Sequence, residues 1–241
     1  MTLELRDVHA RYGKSRVLHG VDLSVEHGTI VTLIGRNGVG RSTTLKTIVG
    51  MVETNRGSIL LDGCEQRGRR TFEIVRSGIA YVPEERLVFD NLTVEENLVL
   101  GMQKPRAECA AWSVSDMYAF FPSLLERRNA LAGRLSGGEQ QMLTICRSLL
   151  GNPSFMLVDE PTEGLAPLIV QRLVDVIREI RSRGVAMLLV EQKMTIALDV
   201  SDRVDVMGHG RIVFSGSPDA LKNDTEVQRR WLEVSDSGSG D

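Results

Sequence analysis

Short apolar runs set off by glycines, alternating with helical patterns, constrain this chain most, because such alternation builds α/β layers around a parallel sheet. The clearest run, Val185 to Val190, is apolar at every position. A strand of that kind needs cover on both faces, which a parallel sheet flanked by helices supplies. Ahead of it Pro167 opens a helix, Ile169, Val170, Leu173, Val174, Ile177 and Ile180 share one face, and Gly184 closes it. Phe155 to Val158 reads as a second core strand. Toward the N-terminus, strands are expected at Leu3 to Val8, Val21 to Val25 and Ile30 to Ile34, the last two as a hairpin around His27-Gly28. Another is expected at Ser58 to Leu61, before Asp62-Gly63, and together they suggest an antiparallel edge attached to the core.

From about Thr93 to Leu150 the strand signal disappears. Thr93-Val94-Glu95-Glu96 forms a capping box ahead of Asn97 and Leu98, so a helical subdomain is expected at about 86–150. A last hairpin turns at Gly208-His209-Gly210. The Ser, Gly and Asp stretch at 235–241 reads as a disordered tail.

Composition narrows the function classes. At 241 residues with 42% hydrophobic content the chain can bury a sizeable core, which excludes disorder as its main state. Its 29 Lys and Arg against 32 Asp and Glu leave a net charge of −3, which argues against a dedicated nucleic-acid binder. No apolar run approaches the roughly 20 residues that cross a bilayer, so membrane association is expected only through partners. The opening MTLELRDVHA carries acidic residues and lacks the pattern of a secretory signal. Cys64, Cys109 and Cys146 are odd in number and widely spaced, which supports neither a disulfide framework nor a zinc site and suits a reducing cytoplasm.

Three constellations carry chemistry. Gly35-Arg36-Asn37-Gly38-Val39-Gly40-Arg41-Ser42-Thr43 follows an apolar strand and opens a helix, the context of a phosphate-binding P-loop. Its glycines let backbone N–H groups turn inward on phosphates, and the helix N-terminus adds its positive dipole end. The Ser42 hydroxyl would meet Mg²⁺. A plain glycine-rich turn would also fit, and the motif alone does not separate kinases, GTPases and ATPases. Arg41 stands where the P-loop has lysine, a planar fork in place of a compact ammonium.

The second constellation is Asp159-Glu160, delivered by the apolar run Phe155 to Val158 at the strand end where parallel sheets bind ligands. Asp159 would hold Mg²⁺ through its water shell, and Glu160 would orient or deprotonate an attacking water. Helix capping is the plainer reading of the same two carboxylates. The third is Leu135-Ser136-Gly137-Gly138-Glu139-Gln140, where Ser136 takes an N-cap position and bares a helix N-terminus to an anion. The hexamer LSGGEQ has a chance expectation on the order of 10⁻⁴ in a chain of this size at average residue frequencies, so a generic cap does not account for it.

With these motifs the chain resembles the ATP-binding cassette (ABC) ATPases, the nucleotide-binding subunits of ABC transporters, from about Leu3 to Leu232. The resemblance implies an α/β P-loop cassette spanning 1–234, with a parallel core sheet, an N-terminal antiparallel β subdomain and a helical signature subdomain. It implies a head-to-tail dimer in which ATP lies between one subunit's P-loop, Gly35 to Thr43, and the other's signature, Ser136, Gly137, Gly138 and Glu139. Tyr12, 23 residues before Gly35, takes the place of the aromatic that stacks on adenine. Glu84 falls where most cassettes have the glutamine that senses Mg²⁺ and contacts the membrane subunits. Gln192 falls at the switch histidine, and Ala166 replaces an aspartate of the dimer-interface loop.

VPEE, EGLAP and VEQ together look like the smaller ATPase subunit of importers for branched-chain amino acids and related small polar solutes. Arg41 is not part of that branch's pattern. The implied partners are a second cassette, different or identical, two transmembrane permease subunits and, indirectly, a solute-binding protein. The implied place is the cytoplasmic face of the membrane. Two alternatives stay open: a nucleotide-binding but hydrolysis-impaired subunit of a heterodimeric pair, for which Arg41 and Gln192 speak, and a non-transport ABC ATPase. Against the latter, the interval from Ser42 to Ser136 is too short for a coiled-coil hairpin plus core strands.

Overall fold

The computed structural model describes residues 2–104 and 111–233. Cys109 and the tail expected at 235–241 lie outside the described residues. The strands in chain order are β1 (Thr2–Tyr12), β2 (Ser15–Glu26), β3 (Ile30–Ile34), β4 (Thr54–Leu61), β5 (Cys64–Glu65), β6 (Ile79–Val82), β7 (Phe155–Asp159), β8 (Ala186–Val190), β9 (Arg203–Gly208) and β10 (Arg211–Gly216). They form two sheets, an antiparallel one in the order β2-β1-β4-β5 and a six-stranded one in the order β10-β9-β3-β8-β7-β6. In the second sheet β9, β3, β8, β7 and β6 are parallel and only β10 runs antiparallel at the edge.

The apolar runs have two-sided cover because successive residues enter different cores. Met156, Val158, Met187 and Leu189 pack with the helical segment and with helix Pro167–Ser182. Phe155, Leu157, Ala186, Leu188 and Val190 pack on the other face, against the antiparallel sheet and helix Arg41–Ile48. Between β6 and β7 the described residues are helical or turn, apart from one isolated bridge, Thr93 to Leu131.

Local signals hold where they were specific. Thr93 caps helix Val94–Gly101, its hydroxyl accepting from Glu96 N while the Glu96 carboxylate accepts from Thr93 N at 2.8 Å. Pro167 starts its helix and Gly184 follows its end. The hairpin at Gly208 to Gly210 joins β9 to β10. The hairpin expected around His27-Gly28 does not form. Glu26 and Thr29 make a turn, but β2 pairs with β1 in one sheet while β3 lies between β8 and β9 in the other. β2 mixes buried and exposed positions, as suits the antiparallel sheet, whereas all five residues of β3 are buried, and both edges of β3 are taken by the parallel strands β8 and β9, which leaves no edge for β2. Strand β6 was not expected. It is only four residues long, too short to show a period.

This packing makes a direct prediction. Leu188→Ala opens a cavity inside the sheet and is expected to lower unfolding stability by about 3 kcal/mol. Leu168→Ala, at a residue 81% exposed, should shift it by no more than about 0.5 kcal/mol. Chemical denaturation of both variants checks the contrast.

Candidate functional site

The sheet registers bring three loops to one edge. Leu33 pairs with Val190, and Val190 with Asp159, so β3, β8 and β7 end level with one another. From β3 leaves the Gly35–Thr43 loop, from β7 Glu160, and from β8 Glu191 and Gln192. One strand further, β6 delivers Glu84 to the same edge. A cavity of about 280 Å³ lies here, lined among others by Asn37, Gly40, Ser42, Glu84, Glu160 and Gln192.

Glycine is required in the loop for space as well as conformation. A Cβ on Gly35 would stand 2.5 Å from the Met207 carbonyl oxygen, and one on Gly40, where φ is +111°, would stand 2.9 Å from Leu18 Cδ2. The chain then enters helix Arg41–Ile48, and the Ser42 hydroxyl donates to Asp159 Oδ1 at 2.9 Å. Asp159 Oδ2 accepts from the Tyr81 hydroxyl at 3.3 Å. Glu160 turns through a left-handed φ of 44°, uncommon outside glycine, while its N–H is held by the Val190 carbonyl. Its carboxylate accepts from Arg41 Nη2 at 2.8 Å on one oxygen and from Gln192 Nε2 at 2.9 Å on the other.

Burial raises the Asp159 carboxyl above its ordinary value, against the pull of the Ser42 hydroxyl, the Lys46 charge and the Tyr81 hydroxyl. Burial also raises Glu160, opposed first by the Arg41 charge and then by the Gln192 amide, while the negative charges of Glu84 and Asp159 push it further up. Burial lifts the Tyr81 phenol as well, and Asp159 adds to that rise, so Tyr81 stays a neutral donor. Two buried carboxylates beside each other are expensive to keep ionised and are characteristic of functional sites.

The remaining expected residues divide. Asn37, Gly38, Gly40, Arg41, Ser42, Thr43, Glu84, Glu160 and Gln192 line the cavity. Gly35, Arg36 and Val39 belong to the loop but do not line it, and Asp159 sits beneath Ser42. Tyr12 lies half exposed at the end of β1 and does not line the cavity. Ser136, Gly137, Gly138 and Glu139 do not line it either. They start helix Gly137–Leu149, with Ser136 N donating to the Glu139 carboxylate at 2.8 Å and Arg127 pairing with that carboxylate at 3.2 Å. Ala166 makes no side-chain bond at the N-cap of the Pro167–Ser182 helix, where an aspartate could have done so. Sequence reasoning missed Glu191 and Thr162. Glu191 is buried, accepts from the Thr162 hydroxyl, and gives its carbonyl to Arg41 Nη1 at 2.9 Å. The available signal was an acidic residue placed directly after an unbroken apolar run.

A glycine-rich loop and paired carboxylates at one edge of a mostly parallel sheet, with an antiparallel sheet and a helical segment attached, define a P-loop nucleotide-binding cassette. The family model described as ABC transporter matches residues 18–163, and the chain belongs to the ABC transporter family. It is 43% identical, over 95% of its length and 99% of the relative's, to the high-affinity branched-chain amino acid transport ATP-binding protein BraG of Pseudomonas aeruginosa. It is 34% identical, over 92% of both chains, to the lipopolysaccharide export system ATP-binding protein LptB of Haemophilus influenzae. Among solved structures, a nucleotide-free ATP-binding cassette from an ABC transporter superposes with a TM-score of 0.80 at 26% identity, covering 94% of this chain and 97% of the other. An ADP conformation of another such cassette gives 0.81 at 25% identity, covering 95% and 98%.

Because the Asp159 carboxyl is raised by folding, the unfolded chain gives up that proton more readily, and the folded state is disfavoured once Asp159 ionises. Asp159→Asn is therefore expected to raise the nucleotide-free melting temperature at pH 7. The gain should shrink as pH falls toward the ordinary carboxyl value of 3.8. Thermal melts of both proteins across that range check it.

Proposed function

We propose that this chain binds Mg-ATP and hydrolyses it as a subunit of an importer for branched-chain amino acids or a related small polar solute. The carrying observation is the Ser42–Asp159 contact with Glu160 as the next residue, all at the edge where the P-loop opens. A serine hydroxyl and a carboxylate 2.9 Å apart are the hard oxygen donors that Mg²⁺ takes, with the remaining positions left to water and nucleotide phosphate. When bound, the ion supplies charge neutralisation at the phosphates. Glu84, at the cavity, would be the third residue near it. Backbone N–H groups of Gly35 to Thr43 and the N-terminus of helix Arg41–Ile48 would cradle the phosphates, and Tyr12 would stack on the base.

Glu160 would take the proton of the attacking water, its raised carboxyl suiting a general base, and Gln192 would orient that carboxylate. The Ser136 to Glu139 segment, which does not line the chain's own cavity, would complete the site of a second cassette placed head to tail. That second cassette is a different ATPase subunit or another copy of this chain. The name and 43% identity of BraG support the solute class.

Among the described residues no helix is long and apolar enough to cross a membrane. Attachment to two permease subunits, with a solute-binding protein acting on them from the far side, would set the chain on the cytoplasmic face. An exposed apolar belt supports that docking: Met51, Phe89 and Leu100 line a groove beside Arg147, and Phe72 and Met102, each next in sequence to a lining residue, are exposed as well. Glu84 lies on the segment that runs from the nucleotide cavity toward this belt.

Two measurements test the reading. Glu160→Gln should lower ATP turnover of the assembled complex by about 10²- to 10⁴-fold while ATP still binds. Turnover that survives the change would instead favour the second reading, a hydrolysis-impaired subunit, which the Arg41–Glu160 contact supports. Single cysteines near Glu84 and at Phe89 should cross-link to a permease subunit in native membranes. Capture of other proteins alone would remove the coupling assignment.

A further inference from the structure

The arginine that departs from the P-loop pattern is the best-held side chain of the site. Arg41 is 5% exposed and Glu160 8%, and their 2.8 Å contact is a buried ion pair. Arg41 Nη2 donates to both Glu160 Oε1 and Asn37 Oδ1, the latter at 3.1 Å, while Nη1 donates to the Glu191 carbonyl. Gln192 Nε2 closes the other side, donating to Glu160 Oε2 and to Asn37 Oδ1, each at 2.9 Å. Arg41, Glu160, Gln192 and Asn37 thus form a closed ring of hydrogen bonds across the P-loop, the end of β7 and the end of β8. The planar fork makes these contacts from two separate nitrogens, Nη1 toward Glu191 and Nη2 toward Glu160 and Asn37; a lysine ammonium has three donors but all on one nitrogen, so it cannot span both positions at once.

Both Nη2 hydrogens are committed in this ring, and the charge they carry is matched by a carboxylate in buried surroundings. An incoming phosphate meets a neutralised pair, with the Glu160 charge close behind it. Breaking such a pair without a replacement anion is strongly unfavourable, so the exchange needs the phosphate itself. We infer that Arg41 is a positioning residue shared between two anions, holding Glu160 in the nucleotide-free chain and passing to the nucleotide phosphate on binding, so that Glu160 is an internal competitor for its own site. The inference rests on the ATP-site reading above. Its consequence is that the glutamate is released toward water only as nucleotide arrives.

The test uses the full chain and equilibrium binding of Mg²⁺ with a non-hydrolysable ATP analogue, measured by calorimetry. Glu160→Gln is expected to tighten binding about tenfold, the scale of a lost charge-assisted hydrogen bond. The same change in the Arg41→Lys background should tighten it no more than about threefold, because a point charge holds the ring less completely. Equal gains in the two backgrounds would identify plain charge repulsion and overturn the latch, as would no gain from Glu160→Gln. Failure of every form to bind would overturn the nucleotide-site reading, and the latch with it. Thermal unfolding without nucleotide gives an independent readout, in which Arg41→Lys and Glu160→Gln should be non-additive. If Arg41→Lys does not fold, Gln192→Ala cuts the ring at an uncharged member; it should tighten binding about threefold, and unchanged binding overturns the proposal.

Discussion

A sheet buried on both faces cannot slide or tilt without exposing apolar side chains, and strands β3, β6, β7 and β8 of the six-stranded sheet are held in that way between two cores. Met156, Val158, Met187 and Leu189 serve one core and Leu157, Leu188 and Val190 the other. A one-residue slip of β7 or β8 would exchange those sets. The strand ends at Leu33, Val190 and Asp159 therefore stand in a fixed row, and everything at the nucleotide edge depends on that row. Side chains leaving it reach one another at hydrogen-bond distance because the backbone beneath them has one register.

On that edge the chain concentrates negative charge. Asp159, Glu160 and Glu191 are buried at the ends of two neighbouring strands, and each is matched by donors: Ser42 and Tyr81 for the first, Arg41 and Gln192 for the second, Thr162 and the Lys193 N–H for the third. Burial nonetheless raises Asp159 and Glu160, so the donors only partly offset desolvation. A core built for stability alone would use apolar residues here. The arrangement makes sense for a site that receives cations and phosphate, where incoming charge completes the balance.

The signature half-site is organised differently, by local bonds near one helix start. Ser136 and Glu139 satisfy each other, Arg127 supports Glu139, and the Arg86 guanidinium donates to the Glu163 carbonyl beside Gly137. Arg86 thus ties the segment that follows Glu84 to the loop after Glu160. The Ser136 to Glu139 segment is thus preformed by its own local bonds and takes no part in lining the cavity at the Gly35–Thr43 loop.

What could be read from sequence was local in space as well as in chain order. The caps at Thr93 and Ser136, the helix that Pro167 opens and Gly184 follows, and the hairpin at Gly208 to Gly210 rest on interactions within a few residues, and the strand after Val185 announces its two-sided cover by an unbroken apolar run, although the residues that cover it are remote. The P-loop and the Asp159-Glu160 pair were recognisable because their chemistry is written in consecutive residues. Three things came only with tertiary structure. β2 and β3, neighbours in sequence, separate into different sheets because the two edges of β3 are taken by β8 and β9, which come from far along the chain, at Ala186–Val190 and Arg203–Gly208. The short strand β6 exists because β7 offers it an edge. The partners of Arg41 lie 119 and 150 residues away, at Glu160 and Glu191. Sequence determined that a cation would stand in the loop. Which oxygens it meets was decided by sheet register, since hydrogen bonds between remote residues depend on distances that no local pattern encodes.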